Sequence, residues 1–193
     1  MYKYRLRLDL KLESCGVLLY RIERLSNNEL GGYIQSEHNL SQQGDAWVYD
    51  NAKVFDSARV WGNAKVYDDA QVYGNAWIFG NAQVCGNAWV WGDAKVYDNA
   101  WVGGNAQVCG NARVYGNAQV EKSDEILNII MKPFSITVTP DNIAIGCELK
   151  RRSEWLKVTE AEAEKMGLPA DRYNTYKNAV KFAMKAVPKR SKK

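Results

Sequence analysis

Between residues 44 and 120 one pattern of apolar and polar positions repeats every six residues. Ala stands at 46, 52, 58, 64, 70, 76, 82, 88, 94, 100, 106, 112 and 118. An aliphatic residue follows two places later each time, from Val48 to Val120, with Ile78 the one position that is not Val. These are thirteen unbroken copies of Gly/Asp–Asn/Asp/Ser–Ala–x–Val/Ile, nine of them followed by an aromatic. Self-similarity at a short fixed period marks a repeat architecture. Strand alternation puts Ala and Val on one side of each copy, x and the aromatic on the other. The Gly or Asp that follows, and the Asn or Asp after it, tolerate the positive φ of a tight corner. A two-residue corner after each four-residue strand winds the chain into a coil. Three copies close one triangular turn, with Val and small Ala filling a narrow interior. Successive coils then stack about 4.8 Å apart through backbone hydrogen bonds. Just over four coils follow, a parallel β-helix on the order of 20 Å tall.

A coil of this length stacks residue i on i+18, which sorts the outer positions into three faces. The first carries Arg59 and Trp61, Trp77 and Phe79, Lys95 and Tyr97, Arg113 and Tyr115. The second carries Lys53, Phe55, Gln71, Tyr73, Trp89, Trp91, Gln107 and Cys109. The third carries Trp47, Tyr49, Lys65, Tyr67, Gln83, Cys85, Trp101 and Gly103. The first face has an aromatic on every rung, a cation on most rungs and no acid at these positions. Stacked aromatics stabilise such a ladder, and Arg or Lys beside them adds cation–π attraction. Outward aromatics at this density also predict an interface, with at least one face covered by another chain or by the terminal segments. The first face is therefore the candidate binding surface. It could also stack bases, so nucleic acid or a nucleotide is a further ligand to weigh.

The two ends read as caps over the exposed strand edges of the coil. Residues 1–43 form the first unit. Within it residues 2–12 alternate apolar and charged as a half-buried strand, and residues 17–25 make a second strand of a hairpin. An irregular first coil follows, with Ile34 and Leu40 six apart. The repeat occupies 44–120. Residues 121–193 form the third unit. Ile136 and Val138, then Ile143 and Ile145, flank Pro140-Asp141-Asn142 as a hairpin. Thr159 and Glu162 make a helix capping box, with Gly167 as its stop. A second helix spans 171–187, with Tyr173, Tyr176, Val180 and Val187 on one face as a candidate oligomerisation surface, pointing to a dimer or trimer. The fold class is mainly β: a parallel β-helix with an N-terminal hairpin cap and a C-terminal hairpin plus two α-helices.

The repeat at 44–120 resembles the hexapeptide-repeat family of parallel β-helices. That resemblance implies the left-handed form. The aromatics after Val depart from the family, where that position is usually small or acidic. The family also includes acyltransferases and nucleotidyltransferases, and the acyltransferases use a histidine base at a subunit boundary. The ends, LYRIERL…LGGYIQSEHNLSQQGDAWVYDNA and ITVTPDNIAIGCELKRRSEWLKVTEAEAEKM, are similar to a group of phage and prophage proteins of largely unassigned function. This implies expression in an infected bacterium.

Composition narrows the chemistry. The chain has 193 residues, a net charge of +4 and one histidine. No apolar run approaches the roughly 20 residues of a membrane span. The first twelve residues lack the apolar core of a secretory signal, and four scattered cysteines suit a reducing cytoplasm. Charge is uneven: +1 over 1–43, −2 over 44–120 and +5 over 121–193, with the tail Lys189-Arg190-Ser191-Lys192-Lys193 the most basic stretch. His38 lies outside the regular coils and is read as a surface or capping residue rather than a general base. Asp68-Asp69 is a repeat corner, and Cys85 and Cys109 fill aromatic slots. There is no phosphate loop, nucleophile elbow or metal-ligand spacing, so no catalytic residue, metal or cofactor is expected. The expected function is that of a non-enzymatic, phage-encoded cytoplasmic protein. Its rigid faces would bind and inhibit a host protein, such as a CRISPR or other immune effector. A nucleotide sponge, a hexapeptide-type transferase and a self-assembling structural or virion protein are the alternatives.

Overall fold

The computed structural model describes residues 2–189, so residues 190–193 of the basic tail lie outside the described residues. Three N-terminal strands, β1 (Tyr4–Ser14), β2 (Val17–Arg24) and β3 (Leu30–Ile34), lead into thirteen two-residue strands, β4 to β16, running from Trp47–Val48 to Gln119–Val120. Every third strand pairs in parallel: Lys53–Val54 with Gln71–Val72, Trp77–Ile78 with Lys95–Val96, Gln83–Val84 with Trp101–Val102. The result is a three-sided parallel β-solenoid. Each rung donates toward the next coil, as Lys53 N–H does to Ala70 O at 2.9 Å and Tyr67 N–H to Val84 O at 3.0 Å. All thirteen Ala and all thirteen aliphatic residues of the repeat are buried. Full burial of a Val side chain contributes about 1.5–3 kcal/mol, so this filled shaft is the main source of the fold's stability.

The corners have a division of labour. The first corner residue takes positive φ, 71° at Gly62 and 59° at Asp68. Asp tolerates this less well than Gly, but its carboxylate gains a partner. Gly86 N–H donates to Asp68 Oδ2 at 2.9 Å, and Gly116 N–H to Asp98 Oδ2 at 3.1 Å. The second corner residue forms amide ladders, with Asn63 Nδ2 donating to Asn81 Oδ1 at 3.0 Å and Asn81 Nδ2 to Asn99 Oδ1 at 3.1 Å. Asp68-Asp69 is thus part of the scaffold.

The N-terminal cap is larger than a hairpin. β1, β2 and β3 form an antiparallel run, and β3 then joins the solenoid in parallel through Ile34 against Val54. A bridge from Leu40 to Val60 completes an irregular first coil. Gly31 and Gly32 let β3 pass close to the regular coil beneath. A Cβ on Gly32 would stand 2.6 Å from Val48 Cγ1 and 2.7 Å from Ala52 O. Tyr4 is buried and donates its hydroxyl to Leu40 O at 2.7 Å. Its ring meets Trp47 edge-on at 6.0 Å, and the Arg24 guanidinium lies 4.1 Å from the Trp47 ring. Trp47, expected to point outward to solvent, is therefore fully buried. The cap that covers it lies far away in sequence.

The C-terminal hairpin is the centre of a four-stranded antiparallel sheet. Its strands are β17 (Leu127–Ile129), β18 (Ile136–Val138), β19 (Asn142–Ile145) and β20 (Glu148–Arg151). Three helices follow: the single turn α1 (Arg152–Trp155), α2 (Glu160–Lys165) and α3 (Tyr173–Ala186). Thr159 caps α2, with Glu162 N–H donating to Thr159 Oγ1 at 3.3 Å and Thr159 N–H to Glu162 Oε2 at 2.8 Å. This unit has its own core, in which Ile136, Ile143 and Trp155 meet Tyr176, Val180 and Val187. It meets the last coil where Arg113 N–H donates to the Thr137 hydroxyl at 3.1 Å.

Candidate functional site

The solenoid brings the eight residues of the first face together as two adjacent columns. Trp61, Phe79, Tyr97 and Tyr115 form one parallel stack, with centroid spacings of 4.6, 4.8 and 4.7 Å. Each stacked pair contributes about 0.5–1.5 kcal/mol beyond area burial. The first three are half-buried and Tyr115 is buried. Burial pushes the Tyr97 hydroxyl up despite the nearby Arg113 charge, and pushes Tyr115 up further. This column is mainly structural.

The second face uses its aromatics the same way, whereas the column of the third face runs Tyr49, Tyr67, Cys85, Gly103 and carries no such stack among the described residues. Phe55 stacks on Tyr73 at 5.0 Å and Tyr73 faces Trp91 at 5.9 Å. At Gly103 the Trp101 indole fills the slot, since a Cβ there would stand 2.2 Å from its ring. Stacking from coil to coil therefore removes most of the exposed aromatic surface that the sequence suggested. Among the solenoid's described aromatics only Trp77 and Trp89 remain exposed, at 37% and 41%.

The strand column of the first face is the accessible one. Arg59, Trp77, Lys95 and Arg113 lie on successive parallel rungs. Lys95 Nζ stands 4.2 Å from the Trp77 ring, and Trp77 leans edge-on against Trp61 at 5.4 Å. At the upper end Arg59 Nε donates to His38 Nε2 at 3.0 Å. At the lower end Arg113 Nη1 donates to Gly146 O at 3.0 Å. Among the described residues none of the three cations has a carboxylate partner at ion-pair distance. The column is a positively charged strip, flat and rigid, with one exposed indole in the middle.

Where the C-terminal sheet meets this strip a cleft of about 350 Å³ opens. Lys95 and Arg113 line it from the solenoid, with Asp93 and Asn111 from the corner ladder and Phe134 and Ser135 from the segment before β18. The register of Asp93 and Asn111 follows from the repeat. Phe134 and Ser135 carried no signal in the sequence, because their place depends on how the C-terminal unit docks.

The proposed oligomerisation residues are placed differently from the strip. Tyr176, Val180 and Val187 are buried in the chain's own C-terminal core, and Tyr173 is half-buried with its hydroxyl donating to Val158 O at 2.8 Å. That helix face is occupied within the chain. Among the described residues no group of His, Cys, Asp or Glu is placed to hold a metal, and no helix is long and apolar enough to cross a membrane.

Comparison with known families finds a match within the solenoid. Residues 70–86 and 106–121 match the YdcK beta solenoid repeat. Both stretches lie in the stacked coils, and the match, like the structure, makes this a β-solenoid protein. No curated protein matches the chain.

Proposed function

We propose that the protein is a non-catalytic binding protein that docks a host protein on the Arg59–Trp77–Lys95 strip and inhibits it. Exposed Trp77, flanked on a sheet by cations that have no carboxylate partner, carries this reading. Trp and Arg supply a large share of interface hot spots, and a preformed surface loses little entropy on binding. The partner surface that complements the strip is acidic, with an apolar pocket for the indole. In the phage-infected cytoplasm implied by the resemblance of the chain ends, an immune effector fits that description.

Two observations weigh against the alternatives. A transferase needs a free base, whereas His38 Nε2 already accepts from Arg59. Open stacking into filaments needs bare coil ends. Here β1 to β3 extend the first coil, and the Thr137 and Ser123 hydroxyls engage the last coils.

The test is native mass spectrometry of tagged protein purified from infected bacterial cytosol. The wild type should carry one added protein mass on its own 21.8 kDa. Trp77→Ala should weaken that complex at least about 30-fold, as loss of a hot spot does. Arg59→Glu should weaken it too, with melting temperatures near wild type. A complex that survives both substitutions at full strength rules out the strip.

A further inference from the structure

We infer that the cleft between the strip and the C-terminal sheet is a binding site for a small organic phosphate of mononucleotide size. This goes beyond the docking reading and stands or falls apart from it. Lys95 and Arg113 line the same cleft from neighbouring rungs, Lys95 with its ammonium 4.2 Å from the Trp77 ring, and neither has a carboxylate at ion-pair distance. Two cations against one acid leave the concave site net positive, which favours an anion, because the two cations' fields add where water is partly displaced. Arg113 Nη1 donates to Gly146 O and Cys147 Sγ, which fixes the guanidinium and leaves its other N–H groups to donate. The Ser135 side chain adds a hydroxyl on the far wall. A guanidinium, an ammonium and a hydroxyl match the several acceptor oxygens of a phosphate better than the two of a carboxylate.

The cleft, at about 350 Å³, is also larger than inorganic phosphate needs and falls at the lower end of small-ligand sites. Phe134 supplies an aromatic wall for the remainder of the ligand. Asp93 is the one acid lining the cleft. Its Oδ1 accepts from Asn75 Nδ2 at 3.0 Å, which ties it to the corner ladder. Its charge nevertheless opposes an anion, and this gives the site a test of opposite sign.

The probe is AMP, titrated calorimetrically at low salt, with adenosine and inorganic phosphate as comparisons. AMP should bind and adenosine should not. Lys95→Gln should weaken AMP about tenfold or more, the usual effect of losing a charge-assisted hydrogen bond. Asp93→Asn should tighten it several-fold, because a repulsive charge is gone while the amide still accepts from Asn75. Phosphate alone should bind more weakly than AMP. Arg59→Glu, two coils away from Lys95, should leave AMP binding intact whatever it does to a protein partner. Both cleft substitutions sit at solvent-facing positions, and circular dichroism verifies their fold. The inference is overturned if AMP shows no binding at millimolar concentration. It is also overturned if adenosine binds as well as AMP, or if Lys95→Gln and Asp93→Asn both leave affinity unchanged.

Discussion

Gly32→Ala should destabilise the protein by about 2–4 kcal/mol, among the largest effects of any single methyl group in this chain. The added carbon has nowhere to go. It would stand 2.6 Å from Val48 Cγ1, 2.7 Å from Ala52 O and 2.8 Å from Tyr49 O. Two of the three are backbone atoms of the first regular coil, which is itself held by Trp47 N–H donating to Ala64 O and Tyr49 N–H to Val66 O. Relief therefore needs β3 to lift from the coil below. That lift would break the parallel pairing of Ile34 with Val54 and uncover the end of the shaft. Chemical denaturation of the variant against wild type measures the loss. A change below about 0.5 kcal/mol would show that β3 is not held against the coil as described.

Arg152→Met should cost about 3–5 kcal/mol, because it strips the donor from several backbone carbonyls, two of them in fully buried hydrogen bonds, at roughly 1–3 kcal/mol each, and the loss should fall on the C-terminal unit. Arg152 is buried, and its guanidinium donates to four backbone carbonyls: Pro140, Met184, Val187 and Pro188. Three of these lie at or just beyond the C-terminal end of α3, where orphan carbonyls concentrate negative charge. Burial pulls the Arg152 pKa down, and Asp141 partly offsets this. Methionine keeps the stem but leaves those carbonyls unsatisfied. In a thermal melt the helical signal of α3 should disappear at lower temperature than the β signal of the solenoid. A single unchanged transition would mean that Arg152 does not hold the helix end.

The shaft was legible in the sequence because it depends on a local rule repeated thirteen times. Ala82 and Val84 alternate into the interior for the same reason as Ala100 and Val102, and all four are buried. The stacking of Trp61, Phe79, Tyr97 and Tyr115 followed from an eighteen-residue coil. How far that stacking hides the rings did not follow. Trp47 and Trp89 occupy equivalent repeat positions, yet the first is fully buried and the second 41% exposed. The difference is Tyr4 and Arg24, which reach Trp47 through long-range packing that no six-residue pattern encodes. The C-terminal hairpin was visible in its apolar alternation. Its outer strands were not, because Leu127–Ile129 and Glu148–Arg151 are short, mixed in polarity and set by pairing with the hairpin itself. The cleft was half legible. Lys95 and Arg113 came from the repeat register, whereas Phe134 and Ser135 depend on how two units meet.

Trp77 and Trp89 offer the most direct test of the docking account, because they are about equally exposed and lie on different faces. Replacing each in turn with a photo-crosslinking amino acid, and irradiating bacterial cells that express the variant, reports which face touches a partner. The account predicts one crosslinked host protein from position 77 and none from position 89. A crosslink from position 89 alone, or equal yields from both, would contradict it.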